Sequence, residues 1–449
     1  MNSSLNSTWF SKIDLSTLLL LIYVWWLIST PQYRFDILGI IHFERILALA
    51  VIVVVFMSGP TGARRSTLNW FFPLFLVCMF LSFLISPYQE FRYSQQWLED
   101  YWKIALLYPI IIYGIRTKRQ LFYWIAGIAI ISFLYQIHSW TDFLQGGSYV
   151  WQQGLKRMRG VWSPPAVGSA NAFGSLGVYT LPFAFFLWSS VETSKSRALA
   201  TSVIAISILS ILFSGTRAAV AVMVLYFVVR FRKSIFRPLR LLGLAILFVF
   251  AISILPAEYT ERYLSIVGIE RDAAATTRAE ELAAESAAAS ADARIAGLVD
   301  GWNLLKKRPL LGYGPGSSAE ARFEVNNTLA SRGGAQLHNL YGQVMADTGI
   351  LGTLLFASIL LSVWHSTKQH ASEGAENRER DTCFRFLRES LVVMFAYGMF
   401  SHTLYSYDWM ILFATTTVAT NLFAEHTMSK STNGTRLDAS SSGTSVVIP

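Results

Sequence analysis

The sequence predicts an all-α polytopic membrane protein with about twelve transmembrane helices. Two observations carry that expectation. Of 449 residues, 53% are hydrophobic and only 14% are charged, where a soluble chain carries roughly a quarter. The apolar residues also gather in blocks of about twenty, the length a helix needs to cross a bilayer. The short alternating segments of a transmembrane barrel are missing.

The blocks fall near residues 15–29, 37–57, 70–86, 101–115, 121–139, 171–190, 198–214, 217–230, 239–255, 339–364, 387–406 and 408–424. The first has no small-residue cleavage site and reads as a span, not a signal peptide. With the amino terminus in the cytoplasm, the inside loops become "GPTGARRST", "GIRTKRQ", "ETSKSR", "RFRKSIFRPLR" and "KQHASEGAENRERDTCFRFLR". All are basic, whereas the outside connections "STPQYRFD", "SPYQEFRYSQQWLED" and "SGT" carry far fewer cations. The positive-inside rule then places both termini in the cytoplasm. It also accounts for the net charge of +9 without nucleic acid as a partner. Cys78, in a predicted span, and Cys383, in a predicted cytoplasmic loop, are not placed to pair. No His/Cys cluster has the spacing of metal ligands.

Residues 1–255 are expected to hold the first nine spans, with a basic, Trp-rich outside segment at 140–170. Residues 256–338 form one large outside segment, too long for an ordinary connection. Its middle is rich in Ala, Glu and Leu, which favour helix. Pro309 and "GYGPG" end that helix in a tight turn. The glycine run lacks the preceding strand and the following Lys-Ser/Thr of a phosphate loop. Residues 339–426 hold the last three spans, and residues 427–449, rich in Ser, Thr and Gly, read as a disordered cytoplasmic tail.

Outside cations depart from the topology rule, so each needs a reason. Arg217 lies in "LFSGTRAAVAVM", a hairpin between two apolar blocks; it either snorkels to headgroup phosphate or serves a site. Lys103, just inside the fourth block, poses the same choice. Lys156, Arg157 and Arg159 lie between Trp151 and Trp162, in a loop equally suited to headgroup contact. For Arg278 and Arg294, on the predicted outside helix, a solvated face is the plainer account. Lys306, Lys307 and Arg308 end that helix, where cations favour the carbonyl end of its dipole. Glu99, Asp100 and Asp347 read as structural, and His42, Glu44 and Arg45 as a polar group that compensates itself.

His338 opens "HNLYGQVMADTGILG", where the large outside segment ends. It fits an interfacial histidine or a base. Behind it, Gly342, Ala346, Gly349 and Gly352 permit close helix approach. Arginine's planar fork suits a diphosphate, and histidine suits proton removal near neutral pH. Together they fit glycosyl transfer from a lipid diphosphate, whose leaving group needs cations while the attacking hydroxyl needs a base.

These segments resemble, in the same order, the bacterial O-antigen ligases and their polymerase relatives. "RMRGVWSPPAVGSANAFG" is similar to the family's Arg-Gly, Pro-Asn and Phe-Ala segment, with Asn171 in the asparagine place and looser spacing. "SGTRAAVAV" is similar to the family's Ser-Gly-Ser/Thr-Arg-Gly/Ala turn, with Arg217 on its arginine. "RIAGLVDGWNLLKKRPLLGYGPG" resembles the arginine-bearing helix and glycine turn of the large periplasmic loop. "HNLYGQVMADTGILGTLLF" resembles the His-Asn segment that follows, with Asp347 where the family often has Glu. The resemblance covers residues 150–360 by motif and the whole chain by topology.

It implies a GT-C-like fold and an inverting glycosyltransferase of the bacterial inner membrane that needs no metal, nucleotide or other cofactor. The implied donor is an undecaprenyl-diphosphate-linked polysaccharide, the implied acceptor a lipid A-core sugar hydroxyl, and the site periplasmic. His338 would activate the acceptor. Arg217, with Arg159, Arg294 and Lys103, would hold the donor diphosphate, and Arg157, Asn171 and Asn339 are further candidates. A polymerase shares donor, arginines and topology, and ligation of glycan to protein is a third possibility. A transporter or flippase predicts internal repeats and broken spans with charges near the midplane; the sequence shows no such repeat.

Overall fold

The computed structural model describes residues 13–58, 66–152, 154–162, 168–232, 255–264, 278–326, 336–368 and 375–441. Helix α1 (Leu15–Ser29) is capped by Asp14, whose carboxylate accepts the Thr17 amide. The block predicted at 37–57 divides into α2 (Asp36–Ile40) and α3 (Phe43–Met57), with His42 at φ +49° between them. Helix α4 (Leu68–Leu84) follows. The block predicted at 101–115 is not one span, because α5 (Arg92–Ala105) and α6 (Leu107–Gly114) meet at Leu106. Pro109 has no amide to give the Ala105 carbonyl, and its ring crowds that carbonyl, which favours a break there.

Helix α7 (Lys118–Leu144) opens with a capping box of Thr117 and Gln120. Segment 140–170 contributes an antiparallel hairpin, β1 (Tyr149–Gln152) with β2 (Leu155–Met158), in which Arg157 pairs with Val150. Then come α8 (Ala170–Ser190), α9 (Ser194–Phe213) and α10 (Arg217–Phe231). The block predicted at 239–255 lies outside the described residues except for Leu255. The large segment carries α11 (Ala257–Leu264), α12 (Arg278–Lys307) and the single turn α13 (Ser318–Ala321).

Three helices close the chain: α14 (Leu340–Lys368), α15 (Ala375–Gly398) and α16 (Tyr407–Ser441). Helix α15 begins well before the predicted 387, so Cys383 is a buried helical residue and not part of a loop. The cause is a buried stripe of Cys383, Phe384, Leu387 and Leu391 at helical spacing. Helix α16 likewise continues through 427–441, where composition predicts an irregular tail. Extending a formed helix fixes one residue per added backbone bond, without the cost of a new nucleus. Residues 442–449 lie outside the described residues.

Among the described residues, α7, α8, α9 and α14 are long and apolar enough to cross a membrane, and α1 and α4 are shorter apolar helices. The protein is a helical membrane protein. Helix α8 packs on α7, α9 and α15, while α14 packs on α4 and α12. At one end of this bundle α7, α9 and α15 finish and α8, α10, α14 and α16 begin. The hairpin and α11–α13 gather there, and it is called the hairpin end below.

Candidate functional site

The turn between α9 and α10 is the first fixed point at the hairpin end. The last carbonyls of a helix have no partner within it, and here α9 finds partners in other elements. Tyr263 donates to the Leu212 carbonyl, Tyr259 to those of Phe213 and Lys156, and Arg157 Nε to Ser214 at 2.8 Å. Arg262 Nε donates to the Gly215 carbonyl at 2.7 Å. Gly215 sits at φ +61°, a conformation that costs a glycine little. Tyr259, Arg262 and Tyr263 share one face of α11, so this short helix straps the hairpin to the turn.

Arg157 is 2% exposed. Beyond Ser214, its guanidinium donates to Gln152 Oε1 at 2.8 Å, Asn171 Oδ1 at 2.7 Å and Thr216 Oγ1 at 3.1 Å. It therefore joins hairpin, α8 and turn, and sets where Arg217 starts α10. Asn171 is tied twice, since its own carbonyl accepts from Tyr397 of α15 at 3.1 Å.

The arginines at this end act on one another. Burial, and then the like charges of Arg157, Arg217 and Arg294, bring Arg262 down to about 9. Arg157 and Arg294 are lowered by burial first, with neighbouring tyrosines opposing and like charge adding to the shift. Such a cluster attracts an anion of high charge density.

His338 stands two residues before α14, next to its cap. Asn339 caps that helix: its Oδ1 accepts the amides of Tyr341 and Gly342, both at 3.0 Å, and its Nδ2 donates to the Met399 carbonyl at 3.1 Å. His338 is thus placed by a cap that also anchors the end of α15. Its Nδ1 lies 3.1 Å from Nδ1 of His402, in the connection between α15 and α16. Burial, then the charge of His338, push His402 down to about 4, so it is neutral near pH 7. His338 keeps an exposed surface, with His402 on one side of its ring. Burial, then the positive charges of Arg294 and Arg322, lower its pKa too.

Arg294 links the two halves of the site. It senses Arg217 on one side and lowers His338 on the other, and its Nε donates to the Phe400 carbonyl at 3.3 Å. Arg322 is held by Asp300 at 2.6 Å in a buried pair; removing one member of such a pair costs about 3–5 kcal/mol.

The glycine turn supports this arrangement. Helix α14 is broken at Gly349, whose φ is +63°. On one side of the break the carbonyls of Ala346 and Asp347 accept from the amides of Tyr313 and Gly314, at 2.8 and 3.0 Å. On the other, the amides of Ile350 and Leu351 donate to the carbonyls of Pro309 and Leu310. Asp347 accepts from the amides of Gly316 and Ser318 at 3.2 and 3.0 Å, and from Tyr405 Oη at 2.5 Å. A broken span is one expected mark of a transporter; here the 309–314 segment takes up the freed backbone groups. Gly342 does permit close approach, because a Cβ on Gly301 of α12 would lie 2.4 Å from its Cα. Gly349 instead supplies the break.

Other predicted site residues fall elsewhere. Lys103 bonds Asp100 at 2.9 Å and lines a cavity of about 650 Å3 with Glu44, Arg45 and Glu99. Arg159 is half-buried, and its backbone amide donates to Ser148 at 2.9 Å; Arg157 is the residue bound into the turn. Lys307 reaches Glu324 at 3.7 Å, and Arg308 lies over Tyr313. The Arg278 side chain lies outside the described residues. Three participants were not anticipated: Arg262, Arg322 and His402. Among the described residues, no group of three His, Cys, Asp or Glu side chains could hold a metal ion.

Residues 202–357 match the family model described as O-antigen ligase. The matched stretch runs from α9 into α14 and includes Arg217, Arg262, Arg294, Arg322 and His338. Arg157, Lys103 and His402 lie outside it. No curated protein matches the chain.

Proposed function

From a chain whose residues 202–357 carry the O-antigen ligase domain, we propose an inner-membrane glycan ligase. It transfers an undecaprenyl-diphosphate-linked polysaccharide to a sugar hydroxyl of lipid A-core on the periplasmic side. The observation that carries this reading is that Arg294 donates to the Phe400 carbonyl, two residues from the His402 that meets His338 at 3.1 Å, and lies near enough to His338 and Arg217 for like charge to act between them. One arginine thus spans a candidate base and a candidate diphosphate cradle.

In this reading the acceptor oxygen attacks the anomeric carbon from the face opposite the diphosphate. The bond from that carbon to the diphosphate oxygen breaks, and the lipid diphosphate leaves with the electron pair. Arg217 and Arg294, with Arg262 behind them, offset its charge. His338 takes the hydroxyl proton. If Nδ1–H of His338 donates to His402, Nε2 carries the lone pair and faces the acceptor. In that tautomer the neutral His402 accepts through its own Nδ1 and does not compete for the acceptor's proton. The step inverts the anomeric centre and needs neither metal nor nucleotide. The twelve-span, GT-C-like arrangement with both termini cytoplasmic belongs to the same proposal and follows the charge pattern of the loops.

Deleting the gene and separating surface glycans on a gel tests it. Loss of long glycan from lipid A-core, with lipid-linked polymer accumulating, is the expected result. Lipid A-core bearing single repeats would instead identify a polymerase, and unchanged glycan on lipid A-core would remove the proposal.

A further inference from the structure

The helices that build the hairpin end also enclose a second basic site at their other end. Arg197 at the start of α9, Arg230 at the end of α10, and Arg378 and Arg385 on α15 line one cavity of about 450 Å3. Arg217 and Arg230 are thirteen positions apart on α10, so about 20 Å separates the two sites along the helix axis. The far cavity is therefore not part of the site described above.

Its construction favours an anion. Arg230 is fixed by Glu389 at 3.0 Å and by Ser189 Oγ at 3.1 Å, which matches its charge and holds its fork in place. Arg378, Asp381, Thr382 and Arg385 follow helical i, i+3, i+4, i+7 spacing and so share one face of α15. All four line the cavity. With Glu389 matched to Arg230, Asp381 is the carboxylate in the lining that faces three guanidinium groups, leaving positive charge in excess among the described residues. Arg388, a turn further along, has Arg232 and Arg385 as like-charged neighbours and Glu389 as a counter-charge. Trp188, 45% exposed, stands at the cavity, at the end of a helix apolar enough to cross a membrane; tryptophan is enriched at the headgroup level of a bilayer.

We infer that this cavity binds the phosphate of an anionic phospholipid headgroup. Guanidinium forks pair with phosphate oxygens through two parallel hydrogen bonds, and basic pockets between transmembrane helices suit such headgroups. A free phosphate-bearing anion shares this chemistry, so the test separates the two sources.

The purified full-length protein is placed in nanodiscs of phosphatidylcholine with increasing phosphatidylglycerol, and retained lipid is counted by native mass spectrometry. The wild type is expected to retain phosphatidylglycerol in preference to phosphatidylcholine. The double variant Arg378→Gln/Arg385→Gln should retain it about tenfold less well, and Arg385→Lys, which keeps the charge but loses the fork, should fall between. Lys306→Gln/Lys307→Gln removes the same charge at the hairpin end and should behave as wild type. Inorganic phosphate titrated into phosphatidylcholine discs forms the second arm. Binding of phosphate alone, lost in the Arg378/Arg385 variant, would keep the anion site but assign it to a soluble ligand and reject the lipid. Equal retention by wild type and the Arg378/Arg385 variant, or equal losses in both double variants, would overturn the site. Arg385→Lys decides the matter if the double variant does not fold.

Discussion

Lys103 and the arginines around residues 214–217 both stand at the edges of apolar helices, but in different company. Lys103 is 2.9 Å from Asp100 and shares its cavity with Glu44 and Glu99. The arginines have tyrosine hydroxyls, main-chain carbonyls and one another among their neighbours. In the first region a carboxylate is bonded to the cation, whereas in the second several guanidinium groups stand close enough to lower one another's pKa. A cation at a membrane edge therefore says little until its neighbours are known.

Four substitutions would break or sharpen that contrast. Arg217→Ala should have the largest effect, lowering transfer about 100- to 1,000-fold, as loss of an electrostatic donor at a developing charge does. Equal loss from Lys103→Gln would erase the distinction between the regions. Arg157→Gln should lower transfer less and also destabilise the protein, because Arg157 holds the turn; a melting temperature equal to wild type would show that the buried guanidinium is not structural. Arg294→Gln should act on the pH profile. Burial and then the charges of Arg294 and Arg322 keep the pKa of His338 below the usual 6.5, so neutral imidazole persists as pH falls. Removing one of those charges makes the imidazolium less unfavourable and raises that pKa. The acidic limb of the rate profile should then move to higher pH, and a fixed limb would detach Arg294 from His338. Lys103→Gln should have the least effect, with rates within about threefold of wild type and a stability change of at most about 1 kcal/mol.

The apolar helices were legible because hydrophobic blocks report them directly, and Arg217 and His338 because each lies at the edge of one. What escaped depended on where those blocks end. Reading a span through residue 406 hides His402 inside it, whereas α15 stops at Gly398 and leaves His402 in a connection. Pro109 and Gly349 interrupt segments whose hydropathy alone looks continuous. Arg159 drew attention over Arg157 because nothing in a loop of mixed cations reveals a four-residue strand; only the hairpin pairing places Arg157 beside the turn. Arg262 carried a faint signal, since Tyr259, Arg262 and Tyr263 share one helical face. In isolation that pattern also describes a solvated helix.

The most direct measurement separates binding from chemistry at His338. Purified wild-type protein and His338→Ala would be compared for binding of a lipid-diphosphate-linked glycan and for its transfer to a hydroxyl acceptor. The account predicts donor binding close to wild type and transfer reduced about 100- to 10,000-fold, the range for loss of a general base. Transfer at the wild-type rate by His338→Ala would contradict it.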